Sequence, residues 1–143
     1  MKVGKNTYIS SKVGFISPWK IEIGSHCCIN QNCLIDGRRG LKICDNVDVA
    51  VSVKIFTLQH DPMSTRHECV GAPVTILNNV WIATDATLLP GIEIGEKATI
   101  ACNTLVTKDV PSGRLYGGIP AKDIGSSAQE KTIRPEKGAI RIS

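Results

Sequence analysis

Aliphatic residues recur every six positions along most of the chain, and this period constrains the fold more than any other feature. In the second half the ladder runs without a miss through Ile76, Ile82, Leu88, Ile94, Ile100 and Val106. Two positions before each stands a second file of small or β-branched residues: Val74, Val80, Ala86, Ile92, Ala98 and Thr104. An α-helix requires a period of about 3.6 and a strand a period of about two. A period of six therefore predicts a short strand, a corner and the next short strand, repeated around a prism.

The first half carries the same two files. The ladder is Ile23, Ile29, Ile35, Ile43, Val49 and Ile55, and its companions are Ile21, Cys27, Cys33, Leu41, Val47 and Val53. Between Ile35 and Ile43 the step is eight residues, so we expect two extra residues to bulge out within the DGRRG segment, 36–40. The whole pattern predicts an all-β chain, a parallel β-helix in which each rung buries its aliphatic residue against the rungs above and below.

One segment, residues 57–73, breaks the ladder. It reads TLQHDPMSTRHECVGAP and is polar, with two histidines. A loop held by a rigid scaffold commonly carries function, although a tolerated insertion without a role would look the same. We predict a single domain over residues 1–123, with loop 57–73 inserted into it, and a C-terminal tail over residues 124–143.

Composition excludes several classes of protein. No apolar run approaches the roughly 20 residues that cross a bilayer, and the amino-terminal residues lack the apolar segment of a secretory leader. The net charge of +4 is scattered and aromatic residues make up only 4%, whereas nucleic-acid binders cluster basic and aromatic side chains. The six cysteines form no CxxC pair. We expect reduced thiols that serve as small core residues, a cytoplasmic location, no membrane insertion and no nucleic-acid partner.

Three histidines are candidates for chemistry. Histidine suits general-base catalysis because its ordinary pKa, about 6.5, lies close to neutrality. His60 ends a repeat ladder and opens the long loop, so it is the leading candidate. We interpret His67 as a solvated loop residue and His26 as a structural corner. Their spacing matches no zinc motif, and we expect no metal.

Three segments of the chain carry a resemblance to a known family. The run ICDNVDVAVSVKIFTLQHDP, followed by GAPVTILNNVWIATDATLLPGIEIGEKATIACNTLVTKDVPSG and GGIPAK, resembles the hexapeptide-repeat O-acetyltransferases. Within that family the similarity is to the maltose/galactoside type and to the colanic acid or exopolysaccharide acetyltransferases, over roughly residues 20 to 125. The resemblance implies a left-handed β-helix, a homotrimer with active sites between subunits, and acetyl-CoA as the acyl donor along the prism edge.

The resemblance also implies roles for single residues. His60 matches the catalytic histidine, which takes the proton from the acceptor hydroxyl as that hydroxyl attacks the thioester carbonyl. The positions that match acceptor-binding residues are Asn30, Asp36 and Trp81. The positions that match the border of the acetyl-CoA site are Thr84, Cys102, Thr107, Lys108 and Lys122.

The function expected from the sequence is acetyl-CoA-dependent O-acetylation of a sugar or polysaccharide precursor. Two alternatives stay open: N-acylation of an amino-sugar nucleotide, and a non-catalytic β-helix, either an assembly scaffold or a relative of metal-dependent hydratases. His60, Trp81 and the Thr107–Lys108 pair together favour the enzyme, because a scaffold requires none of them. Nothing in the sequence identifies the acceptor.

Overall fold

The computed structural model describes residues 1–130, and in them the chain winds into stacked coils of short strands. The first three coils contain β1 (Lys2–Val3), β2 (Tyr8–Ile9) and β3 (Gly14–Ile16); β4 (Ile21–Ile23), β5 (Cys28–Ile29) and β6 (Leu34–Asp36); and β7 (Leu41–Ile43), β8 (Asp48–Val49) and β9 (Lys54–Ile55). A hairpin of β10 (Leu58–His60) and β11 (Cys69–Gly71) follows. The later coils contain β12 (Val74–Ile76), β13 (Trp81–Ile82) and β14 (Thr87–Leu88); β15 (Glu93–Ile94), β16 (Thr99–Ile100) and β17 (Leu105–Val106); and β18 (Arg114–Gly117) with β19 (Lys122–Ser126).

Three sheets form the faces of a prism. The first face has the strand order β1-β4-β7-β12-β15, the second β19-β18-β16-β13-β8-β5-β2, and the third β17-β14-β9-β6-β3. Neighbouring strands within the faces are parallel, except for β18 and β19. Each coil lies directly on the previous one, and the predicted parallel β-helix is confirmed.

The core consists of the two files read from the sequence. From Ile21 to Val106 every ladder residue is buried, most with no exposed surface, and the companion file is buried beside it. Full burial of one such aliphatic side chain contributes about 1.5–3 kcal/mol. Coil stacking therefore supplies most of the stabilisation, although it orders only two or three residues per strand.

A column of left-handed corners connects the first face to the second. Its members have φ between 56° and 61°: Asn6, His26, Asn46, Asn79 and Lys97. The backbone N–H of each of the later four donates to the carbonyl of the coil below, as from His26 to Lys5 at 2.9 Å. Asparagine tolerates this conformation better than most residues, which explains its frequency here. His26 is a corner residue, as expected from its place in the repeat.

The prism edge between the third and first faces, here called the hairpin edge, carries the irregular connections. Residues 17–20 join the first two coils there, with a 3₁₀ turn over Pro18–Lys20, and the DGRRG bulge joins the next two. Gly40 takes a φ of 95° at the end of that bulge. The hairpin β10–β11 follows on the same edge, one coil higher.

The described carboxyl-terminal residues belong to the prism. Strand β19 runs antiparallel to β18 on the second face. Beyond it the hydroxyls of Thr99 and Ser127 make a buried hydrogen bond of 2.6 Å, and a 3₁₀ turn covers Ala128–Glu130. Of the tail predicted over 124–143, residues 124–130 thus form a strand end and a turn, and residues 131–143 lie outside the described residues. The boundary at residue 123 stays a prediction.

The six cysteines are all free, but they are not all core residues. Cys27 and Cys33 fill the companion file, and burial raises the pKa of the Cys33 thiol. Cys69 and Cys102 are exposed, so the prediction that every cysteine serves as a small core residue is wrong for these two. Cys69 lies on β11, opposite His60.

Candidate active site

The insertion at 57–73 is an ordered hairpin. Strands β10 and β11 pair antiparallel, with Leu58 opposite Gly71 and His60 opposite Cys69. Its tip is closed by a hydrogen bond of 2.7 Å from the Asp61 N–H to the Glu68 carbonyl. The Ser64 hydroxyl oxygen accepts from the N–H groups of Arg66 and Glu68. The segment that breaks the six-residue repeat is therefore an ordered hairpin that projects from the hairpin edge.

The imidazole of His60 is held in one orientation at the end of β10. Its Nδ1 lies 2.7 Å from the backbone carbonyl oxygen of His67. A carbonyl only accepts, so this contact selects the tautomer in which Nδ1 carries the proton and the lone pair is at Nε2. The His67 ring stands edge-on to it, with centroids 6.4 Å apart. This geometry leaves His60 able to accept a proton at Nε2.

A thiol lies beside the same imidazole. The Sγ of Cys69 is 3.7 Å from Nδ1 of His60, and both residues are exposed. From the sequence, Cys69 is expected only to be a small core residue, like the other cysteines. Its pairing with His60 depends on the register of the hairpin, and no sequence motif indicates that register.

The base of the hairpin rests on the DGRRG bulge one coil below. The guanidinium of Arg38 donates to the Leu58 carbonyl at 3.3 Å, and the Arg39 N–H donates to the Thr57 hydroxyl at 3.0 Å. The Thr57 N–H in turn donates to the Asp36 carboxylate at 2.9 Å. The two departures from the six-residue period therefore support each other.

Asp36 is the centre of this support. Its side chain has no exposed surface, and its oxygens accept four hydrogen bonds, three of them from the side chain and backbone of Arg38. Burial raises the pKa of Asp36, but the hydrogen bonds from Arg38 and Thr57 outweigh it and hold the pKa at about 2. A carboxylate enclosed in this way offers no surface to an acceptor, so this geometry does not support the contact expected for Asp36. It holds the hairpin instead.

The other expected acceptor residues lie on a different part of the prism. Asn30 is half-buried at the edge between the second and third faces, where its Nδ2 donates to the Val49 carbonyl at 2.9 Å. Trp81 is 44% exposed on the second face, between Asp48 and Thr99 of the adjoining strands. Within one chain, neither residue shares the hairpin edge with His60.

The residues expected to border acetyl-CoA are exposed but fall into separate groups. Thr84 and Cys102 occupy successive corners between the second and third faces, linked by the bond from the Asn103 N–H to the Thr84 carbonyl at 2.9 Å. Thr107 and Lys108 lie on the hairpin edge, two coils beyond the hairpin, and Lys122 begins β19. A single chain therefore divides these residues between two edges and one face.

Among residues 1–130, no group of three histidine, cysteine or acidic side chains is arranged to hold a metal ion. In the same part of the chain, no helix has the length and apolar character needed to cross a bilayer.

Comparison with known proteins gives consistent relatives, although no family model matches the chain. The galactoside O-acetyltransferase of Escherichia coli is 32% identical over 125 residues, which cover 85% of this chain and 62% of that protein. A galactoside acetyltransferase in complex with coenzyme A superimposes with a TM-score of 0.85 at 29% identity, over 99% of this chain and 72% of that one. A hexapeptide-repeat acetyltransferase of Vibrio cholerae, complexed with acetyl coenzyme A, gives 0.83 at 28% identity, over 86% and 69%. The chain spans about three fifths of the length of the curated relatives it matches.

Proposed function

Because the chain is homologous to the hexapeptide-repeat acetyltransferases, we propose that it transfers an acetyl group from acetyl-CoA to a hydroxyl of a sugar or polysaccharide precursor. The observation that carries this proposal is the state of His60: an exposed imidazole whose Nδ1–H is held by a carbonyl and whose Nε2 is left as a base. That is the arrangement a general base requires for the proton of an attacking hydroxyl.

In this reaction the acceptor oxygen attacks the thioester carbonyl while its proton passes to Nε2 of His60. The carbonyl–sulfur bond then breaks, and the proton goes to the departing coenzyme A thiolate. The carbonyl of His67 stabilises the imidazolium that exists between these two transfers, because it continues to accept from Nδ1. The main-chain amide near Thr84 is the candidate donor to the oxyanion.

The exposed lysines suit the phosphates of acetyl-CoA. Lys108 and Lys122 form no ion pair within residues 1–130, so both charges are available to a polyanion, which lysine binds as a mobile point charge. Thr107 and Cys102 would border the same substrate. The separation of Asn30, Trp81 and Thr84 from the hairpin edge is consistent with a site shared between subunits, and we propose a homotrimer in which neighbouring chains complete it.

Substitution of His60 tests the proposal. His60→Ala should reduce kcat roughly 10²- to 10⁴-fold while acetyl-CoA binding is kept. Lys108→Ala should chiefly weaken acetyl-CoA binding. Transfer is best followed by the loss of thioester absorbance, because the exposed thiols of Cys69 and Cys102 would react with a thiol reagent.

His67→Asn is the matched control. It preserves the carbonyl that holds His60 and tolerates the φ of 54° at that position. Retention of most activity by His60→Ala, or an equal loss in both variants, would refute the assigned base. Transfer to amines alone would replace O-acetylation with the N-acyl alternative.

A further inference from the structure

Three exposed side chains belong to the connections of the hairpin edge on the side of the hairpin opposite to Lys108. Trp19 is 74% exposed in the 3₁₀ turn of residues 18–20. The Nζ of Lys20 donates to the Arg38 carbonyl at 3.2 Å, which ties this turn to the DGRRG bulge. Arg39 is exposed on that bulge. We refer to Trp19, Lys20 and Arg39 as the basic corner.

The side chain of Arg39 lies along the hairpin that carries His60. Its Cγ would be only 2.8 Å from a β-carbon built on Gly71. A residue larger than glycine at position 71 would therefore collide with the aliphatic stem of Arg39. Gly71 is two residues from Cys69, the partner of His60 in the hairpin. The Arg39 stem therefore lies beside the hairpin that carries His60.

The two adjacent arginines differ in how their charge is used. The Arg38 guanidinium is paired with the buried Asp36 carboxylate at 2.9 Å. Within residues 1–130, the Arg39 guanidinium makes neither an ion pair nor a hydrogen bond. Arginine keeps its charge at any relevant pH and offers a planar fork that fits carboxylate and phosphate. Among the described residues, the Arg39 guanidinium is thus a cation without an anionic partner.

The position of the corner indicates which substrate it meets. Arg39 lies one coil below the hairpin and Lys20 lies two coils below it, whereas Lys108 lies two coils above it. Adjacent coils are about 4.8 Å apart. If Lys108 faces the acyl donor, the basic corner faces the acceptor. This step rests on the proposed function.

We propose that the basic corner is an anion subsite for the acceptor, which carries a carboxylate or phosphate group beside the hydroxyl that is acetylated. Arg39 binds that group through its fork and Lys20 adds a second positive charge. Trp19 provides an apolar surface for the sugar ring, as aromatic residues do in ligand sites. A uronic acid and a sugar phosphate both have this chemistry.

The test compares three acceptors that share the glucopyranose ring: D-glucose, which is neutral, D-glucuronate, which has a carboxylate at C6, and glucose 1-phosphate, which has a phosphate at C1 and keeps the 6-hydroxyl. We expect a higher kcat/KM for at least one of the anionic compounds than for glucose. Arg39→Gln should remove most of that preference, as a loss of roughly 10- to 100-fold in kcat/KM for the anionic compound, the size expected for a charge-assisted hydrogen bond. Arg39→Lys should restore part of it, and raised salt should weaken it. The compound preferred tells carboxylate from phosphate.

Lys5→Gln is the matched control, because it removes one exposed positive charge at another edge of the prism. Equal effects of Lys5→Gln and Arg39→Gln would overturn the subsite, as would transfer to glucose that equals or exceeds transfer to both anionic compounds.

A binding measurement separates this inference from the proposed function. Saturation-transfer NMR with D-glucuronate and with glucose 1-phosphate, without acetyl-CoA, reports the subsite alone. Binding that Arg39→Gln abolishes, in a protein that transfers no acetyl group, supports the subsite and refutes the acetyl transfer. Absence of binding by both compounds, or binding that Arg39→Gln leaves intact, overturns the subsite, whether or not glucose is acetylated.

Discussion

Replacing Asp36 with asparagine tests how the hairpin that carries His60 is held on the coils. The substitution keeps the size of the side chain but removes its charge. It also turns an NH₂ group towards donors, since every partner of Asp36 is an N–H group of Arg38 or Thr57. The Arg38 guanidinium then loses its counter-ion, and at least one backbone N–H beneath the hairpin loses its acceptor.

The expected loss of stability can be worked from the structure. The difference between the ordinary pKa of 3.8 and the pKa of about 2 for Asp36 corresponds to about 2 kcal/mol of folding free energy at neutral pH. Breaking a fully buried ion pair costs about 3–5 kcal/mol, but the Arg38 side chain is 37% exposed and water can hydrate it. We expect a loss of about 2–4 kcal/mol, which lowers the Tm by roughly 5–15 °C in a chain of this size.

The pH dependence gives the sign of the effect. The folded state depresses the pKa of Asp36, so its contribution is complete above about pH 4 and is lost as the pH falls through about 2. The difference in Tm between the wild type and Asp36→Asn should therefore be largest near neutral pH and should shrink between about pH 4 and pH 2. Thermal unfolding followed by circular dichroism, at equal protein concentrations, measures both.

Asp123→Asn is the control, because Asp123 also makes a two-pronged contact with an arginine, Arg114. That pair is exposed on both sides, where ion pairs contribute little, so its Tm should change much less. Equal losses in the two variants would show that burial of Asp36 does not matter. A difference in Tm that stays constant down to about pH 2 would refute the charge argument.

Three further outcomes follow from other contacts. Gly24→Ala should lower the free energy of unfolding by about 1–3 kcal/mol, because the added β-carbon would lie 2.7 Å from the backbone of Cys44. Gly14→Ala is the control in the same urea titration and should be tolerated, because its nearest contact is 3.5 Å away. Ser127→Ala should cost about 1–3 kcal/mol in urea unfolding, because it leaves the buried Thr99 hydroxyl without its partner; an unchanged unfolding midpoint would argue that residues beyond 123 add nothing to the domain. Alkylation of Cys69, 3.7 Å from the His60 ring, should block transfer, and Cys69→Ser should resist the reagent.

The architecture can be predicted from the sequence because the six-residue period assigns each residue separately to an inward or an outward position. Whether a side chain points inward depends on its place in the repeat, and its free energy of burial depends on its own apolar surface. Both files, from Ile21 through Val106, were therefore predictable without knowledge of any contact. The interruption at residues 57–73 was visible for the same reason, and so was the choice of His60 as the candidate base.

The tertiary structure decided how the irregular segments meet. Stacking brings Asp36 beneath Thr57, 21 residues away, where its carboxylate supports the base of the hairpin. The orientation of the His60 ring depends on the backbone carbonyl of His67. Because every residue has a backbone carbonyl, the sequence does not indicate which one holds the ring. Inward and outward positions follow from local periodicity. Partners across coils depend on which corners align, and only the folded chain determines that alignment.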